Sequence, residues 1–297
     1  MKDQRILLTG ASSGVGLVLS RQLARRGAVL GLAARSQDRL ERLATEIVKA
    51  GGAQPTVLPV DLGRPGQAAQ LADRALDELG TVDVLLNNAG VSFHGQQWVA
   101  GDCDEARELF ETNYWSPLAL IRKLVPAMRE RGSGAVVNVT SMVQVSPFPG
   151  LGHYSSWKAA LGLATETLRM ELRKSGVRVI EVPFGVLDTP GSFENRNLPG
   201  AARWLDSGPV GSAETAARRV IAALEGGRER VIYPRRVAIG YTFPGLARQF
   251  ARRLGRHADP EYREIRRTGS RGDESQRAAR EEWERRHTAD AKRAQRP

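Results

Sequence analysis

The chain has 297 residues, 41% of them apolar, enough for one large globular domain or two small ones. A single cysteine, Cys103, excludes an intrachain disulfide, and no run approaches the roughly 20 apolar residues of a membrane-spanning helix. The net charge is +11, but residues 235–297 hold 16 Arg and 1 Lys against 9 acids, a surplus of +8 that leaves +3 for the rest. The charged start Met1-Lys2-Asp3-Gln4-Arg5, with a short apolar run after it, does not read as a signal peptide, so a cytoplasmic location is expected.

Arg5-Ile6-Leu7-Leu8-Thr9 reads as a strand, Gly10 to Gly16 as a glycine-rich turn, and Leu17 to Arg26 as a helix. Ala28 to Ala33 and Thr56 to Val60 read as the second and third strands, with a helix over Ser36 to Ala50 between them. A helix over Gln67 to Leu79 leads to a fourth strand, Val82 to Leu86. Glu105 to Arg129 is a long helical region punctuated by Pro117 and Pro126. Ala135 to Val139 is the fifth strand, Tyr154 to Ser175 a helix, and Val177 to Val182 the sixth strand. Ala213 to Leu224 is a further helix, and Arg230-Val231-Ile232-Tyr233 a seventh strand. Such alternation implies right-handed β-α-β units: a mostly parallel seven-stranded sheet with helices on both faces. Ligands of such sheets bind beyond the carboxyl ends of the strands. Thr9, Arg35, Asp61, Asn88, Ser141 and Thr189 all fall there.

The turn holds Gly10, Ser12, Ser13, Gly14, Val15 and Gly16. Its glycines permit a tight turn and the close approach of a pyrophosphate to the helix N-terminus. At the end of the second strand, Leu32-Ala33-Ala34-Arg35-Ser36 offers no carboxylate for ribose hydroxyls. The Arg35 guanidinium suits a 2′-phosphate, which favours NADP(H) over the alternative, NAD(H). Tyr154 and Lys158 lie at i and i+4 on one helix face. A cation one turn away supplies about the 4 kcal/mol needed to lower a phenol by ~3 pH units, making it an acid/base near neutrality. The four His are scattered without cysteine partners, and no metal site is expected.

Together these residues resemble the short-chain dehydrogenase/reductase family over roughly Arg5 to Tyr233. Thr9 to Gly16 is similar to its TGxxxGxG motif, and Asp61-Leu62 to its adenine-contacting pair. Asn87-Asn88-Ala89-Gly90 is similar to NNAG, Asn113 to the catalytic Asn, and Ser141 with Tyr154 and Lys158 to the Ser and YxxxK positions. The resemblance implies a Rossmann-type doubly wound fold and an oxidoreductase that interconverts a carbonyl and an alcohol. It implies that Tyr154 exchanges a proton with the substrate oxygen and Ser141 orients that oxygen. Lys158 would lower the tyrosine pKa and hold the nicotinamide ribose, and Asn113 would hold a water linking Lys158 to solvent. Asn88, Ala89 and Gly90 would flank the cofactor. Thr189 would meet the nicotinamide carboxamide, although Phe184 stands where the family carries a proline. A homodimer or homotetramer acting on a small-molecule substrate is implied as well. The alternative is a non-catalytic dinucleotide sensor or scaffold that binds partners through its basic tail. The intact Asn113, Ser141, Tyr154 and Lys158 weigh against it.

Residues 1–235 are thus expected to form the NADP(H)-binding catalytic domain, 236–258 an amphipathic segment, and 259–297 a basic polar tail, helical or disordered. Leu246, Phe250 and Leu254 recur at i, i+4 and i+8. A helix that covers the substrate pocket or a subunit interface is the favoured reading of 241–256; contact with anionic lipid is the less favoured one. Acids interleave with the tail's arginines and aromatics are few, so nucleic-acid binding is not expected. Phe93, His94, Phe148, His153, Phe193 and Trp204 could line a mostly apolar substrate pocket, although ordinary packing is the better reading of each singly, and His153 is expected to pack or meet solvent rather than to transfer protons.

Overall fold

The computed structural model describes residues 1–192, 210–256 and the backbone of 266–267. The first half alternates strand and helix: β1 (Arg5–Thr9), α1 (Gly14–Ala24), β2 (Val29–Ala34), α2 (Gln37–Lys49), β3 (Thr56–Pro59), α3 (Gln67–Leu79) and β4 (Val84–Asn87). Next come β5 (Phe93–His94), α4 (Gln97–Ala100), α5 (Asp104–Phe110), a π-helical turn (Glu111–Trp115), α6 (Ser116–Glu130), β6 (Gly134–Ser141), α7 (Gly152–Glu171) and β7 (Val177–Phe184). The short strands β8 (Leu187–Asp188) and β9 (Gly211–Ser212) pair ahead of α8 (Ala213–Gly226). After α9 (Ala238–Thr242) and α10 (Pro244–Gly255), β10 (Arg266–Arg267) pairs antiparallel with β5.

The main sheet is parallel, in the order β3-β2-β1-β4-β6-β7. Strand side chains alternate between two apolar layers, as period-two geometry requires. Ile6 and Leu8 face α1, α2 and α8, with Val18, Leu40, Ile47 and Val220. Leu7 and Leu85 face α3 and α6, with Leu71 and Leu124. Burial on both faces explains why these strands read as continuous apolar runs. The strand order reverses between β1 and β4, which opens a crevice at the carboxyl edge.

Two expectations need correction. The sheet has six strands, not seven. Residues 230–233 meet β7 only at isolated bridges, Glu181 with Arg230 and Phe184 with Tyr233. Glu181 N–H donates to Glu229 O and Gly185 N–H to Tyr233 O. Pro183, between them, has no N–H to give, so the ladder is broken in its middle. The helical region over 105–129 is also not continuous. Pro117 has no N–H for the Asn113 carbonyl, and the chain widens into the π turn there. Pro126 sits inside α6 without ending it.

Candidate functional site

The crevice is built from β1 and β4. Thr9 Oγ1 donates to Leu86 O at 3.2 Å and accepts from the N–H groups of Asn88 at 3.1 Å and Ala89 at 3.0 Å. Asn88 Nδ2 donates back to Thr9 O at 3.0 Å and Gly10 O at 3.4 Å. Asn88 therefore clamps the glycine turn. A methyl group at position 16 would lie 2.1 Å from Gly10 O, so only glycine fits there. Ser13 precedes α1 in an extended conformation, and its hydroxyl makes no cap. The first-turn N–H groups of α1 are thus available to an anion, and no acid stands in that turn. Val15 points into the core and can serve a ligand only through its backbone; Ser12 and Ser13 are half-buried at the turn. Thr189 is brought to the same place, its Cβ and Cγ2 each 3.6 Å from where a Gly14 methyl would stand. These features fit a dinucleotide pyrophosphate.

Arg35 is exposed just beyond β2, and one turn later Arg39 Nε donates to Ser36 Oγ at 3.2 Å. Arg39 stands at i+4 from Arg35, a spacing that puts both on one side of the chain's turn into α2. Asp61 Oδ1 accepts from Gly63 N–H at 3.2 Å, and the Leu62 carbonyl accepts from Ser116 Oγ at 2.8 Å.

Ser141 ends β6, and α7 carries Tyr154 and Lys158 to the same edge. The Tyr154 hydroxyl is hydrogen-bonded with Ser141 and with Ser92. Ser92 escaped the sequence reading because only the fold brings it to the phenol. Lys158 is buried; its Nζ donates to Val139 O at 3.0 Å and stands 5.9 Å from the Tyr154 ring centroid. Asn113 is fully buried in the π turn and donates from Nδ2 to Val91 O at 3.1 Å and Leu109 O at 2.8 Å. Its Oδ1 has no protein partner. A methyl at position 90 would lie 3.2 Å from Lys158 Nζ and 3.3 Å from Asn113 Oδ1. The two groups border one gap beside Gly90. A buried acceptor beside an ammonium is the environment that holds a water.

Burial dominates the electrostatics. It pushes the Tyr154 phenol above its ordinary value, against the hydrogen bonds of Ser141 and Ser92. It also brings Lys158 down to about 8. The spacing alone suggested that Lys158 lowers the phenol. In the folded chain, desolvation of the phenol opposes that effect.

On the substrate side, Phe93 and His94 are buried rather than lining an open pocket. Phe93 meets His153 edge-on at 5.1 Å, in a cluster with Trp157 and Leu109. His153 packs as expected, with Nε2 2.6 Å from Gly101 O. Phe148 is half-buried; Phe193 and Trp204 lie outside the described residues. Phe184 is buried in the core layer of α1 and α8. Among the described residues, no group of three His, Cys, Asp or Glu side chains is arranged to hold a metal.

The amphipathic segment turns its larger apolar side chains to solvent. Leu246 and Phe250 are 61% and 62% exposed, while Ala251 on the opposite side is buried. The large apolar side chains therefore do not cover the pocket. The Leu254 side chain lies outside the described residues, as does the tail over 259–297 apart from the backbone of 266–267.

A parallel sheet of this order, with a glycine turn at its switch point and a Ser-Tyr-Lys cluster at the same edge, defines a dinucleotide-type α/β oxidoreductase. The family model for short chain dehydrogenases matches residues 4–197, and the chain belongs to that family. It is 38% identical over 192 residues to 1-deoxy-11-beta-hydroxypentalenate dehydrogenase of Streptomyces exfoliatus, covering 64% of this chain and 70% of that protein. It is 36% identical over 191 residues to the ketoacyl reductase HetN of a Nostoc species, covering 64% of this chain and 66% of that one. A short-chain dehydrogenase from Sphingobium yanoikuyae, solved in complex with NADPH, superposes with a TM-score of 0.71 at 27% identity, covering 91% of this chain and 99% of that one. The chain spans about two thirds of the length of the two curated relatives.

Proposed function

We propose that this chain is an NADP(H)-dependent oxidoreductase that interconverts a carbonyl and an alcohol on a small molecule. The observation that carries the reading is the Tyr154 hydroxyl, held by Ser141 and Ser92 beside buried Lys158 at the ligand edge of the sheet. The bound nicotinamide would supply the hydride. The protein's part is to position the substrate and move a proton. Ser141 orients the substrate oxygen, and the neutral Tyr154 phenol donates its proton as that oxygen gains charge. Lys158 then stands next to the phenolate, and the gap it shares with Asn113 holds the water that returns a proton.

NADP(H) preference rests on Arg35, just beyond β2 where the strand ends without a carboxylate, and on Arg39 in the first turn of α2. The NADPH bound to the Sphingobium relative supports it. Self-association is read from Leu163 and Met170 of α7, 72% and 64% exposed on one helix. We place the protein in the cytoplasm, with residues 1–235 as the catalytic unit.

The test is Tyr154→Phe, assayed on a panel of ketones, aldehydes and alcohols by nicotinamide absorbance. Turnover should fall by about 10²–10⁴-fold, while NADPH binding, read by fluorescence, persists. Unchanged turnover in Tyr154→Phe would remove the tyrosine from the reaction.

A further inference from the structure

Between residues 235 and 256 the chain carries six Arg and no Asp or Glu, and all six arginines are exposed. In the same stretch four large apolar side chains stand in solvent: Ile239 at 68%, Phe243 at 54%, Leu246 at 61% and Phe250 at 62% exposure. The helices are seated through their small residues instead. Ala251 is buried, and a methyl at Gly240 would lie 3.4 Å from Ala247 Cβ. The seat is anchored, because Tyr241 OH donates to the buried Glu181 at 2.8 Å and its ring lies 4.9 Å from the Arg230 guanidinium. An amphipathic pair of helices thus shows its large apolar side chains to water within a basic surround.

We infer that this outer face of α9 and α10 docks peripherally on an anionic phospholipid surface. Phe243, Leu246 and Phe250 would enter the boundary between headgroups and acyl chains, while Arg253 beside them meets the phosphates and Arg248 and Arg252, further round α10, add to the attraction. Charge decides between occupants. A second copy in a two-fold contact brings the same patch to itself, six arginines against six, and the stretch contains no acid to offset them. An anionic bilayer supplies both the opposite charge and the apolar layer. No helix among the described residues is long and apolar enough to cross a membrane, so the contact is with the surface. The docked face adjoins the loop between β6 and α7: Met142 approaches Gly240, and Pro149 approaches Gly255. The substrate-side edge of the sheet would then lie close to the lipid.

The experiment is cosedimentation of the full chain with phosphatidylcholine vesicles that contain or lack phosphatidylglycerol. Binding should require phosphatidylglycerol and weaken steeply with salt. Replacing Arg248, Arg252 and Arg253 with Gln should weaken it roughly a hundredfold, and Phe250→Asp roughly tenfold or more. Turnover of a water-soluble carbonyl should be unaffected by either variant, which separates loss of docking from loss of the reaction. Absence of binding to phosphatidylglycerol vesicles, or equal binding by both variants and the parent, overturns the inference. So does conversion of a lipid-free oligomer to monomer by the same substitutions, which would assign the face to a second copy.

Discussion

Lys158 Nζ and Asn113 Oδ1 border a gap that a glycine keeps open, since a methyl at position 90 would lie 3.2 Å from the first and 3.3 Å from the second. Gly90 has no positive φ, so alanine suits its backbone, and its methyl would fill the gap and press on Lys158 Nζ and Asn113 Oδ1. If a water bridges Lys158 and Asn113 as proposed, Gly90→Ala should exclude it and lower kcat by about tenfold to a hundredfold. KM and the unfolding midpoint should move little. A kcat equal to the parent's would show that no proton passes through this gap.

Lys158 gives a prediction about stability. Its pKa falls from the usual 10.5 to about 8 in the folded chain. Between those values the unfolded chain binds the proton and the folded chain does not, so stability rises with pH across that window. Below about 8 the buried ammonium costs about 3 kcal/mol. Lys158→Met removes that cost and also the bond to Val139 O, worth about 1 kcal/mol. The variant should therefore unfold at higher urea than the parent near neutrality. The difference should shrink as pH passes 8 towards 10.5. A pH-independent difference, or a less stable variant throughout, would mean that burial does not perturb this lysine.

Arg35→Asp tests the dinucleotide preference. Loss of a charge-assisted hydrogen bond costs about 1.5–3 kcal/mol, and the new carboxylate repels a 2′-phosphate. The KM for NADPH should rise by about tenfold or more while that for NADH stays level or falls. Arg39→Gln should produce a smaller shift in the same direction. If the two KM values keep their ratio in both variants, the 2′-phosphate is held elsewhere or not recognised.

The parts of the fold legible in the sequence are those with local causes. Leu7 and Leu8 announce a buried strand because neighbours on either side are apolar, and Thr9 to Gly16 announces a turn because its spacing is short-range. Tyr154 and Lys158 share a face by helical spacing. The missed features depend on what the fold brings together. The break in the seventh strand needs Pro183 to face Val231. Ser92 reaches Tyr154 from the loop after β4. The direction of the Tyr154 shift depends on burial, which spacing does not report. Leu246 and Phe250 lie on one face as their spacing required, but the spacing could not say that the smaller Ala247 and Ala251 would be the seated residues.

Glu181 belongs to the same group of unforeseen residues, and it supports the last prediction. It is 1% exposed and accepts from Thr140 Oγ1 at 3.1 Å, Gln144 Nε2 at 2.9 Å, Arg230 Nε at 2.8 Å and Tyr241 OH at 2.8 Å. Four segments of the chain meet on one carboxylate. Glu181→Gln leaves Arg230 with Glu166 as its remaining charged contact in this group and turns one acceptor into a donor. Removing one partner of a buried pair costs about 3–5 kcal/mol, and the surviving contact places this case near the lower end. Tyr241→Phe, which deletes a single hydrogen bond to a charged group, should cost about 1.5–3 kcal/mol. Both variants should loosen α9 and α10, so trypsin should cleave at Arg248, Arg252 and Arg253 faster than in the parent, and fastest in Glu181→Gln. Equal cleavage rates in all three proteins would show that neither Glu181 nor Tyr241 holds these helices in place.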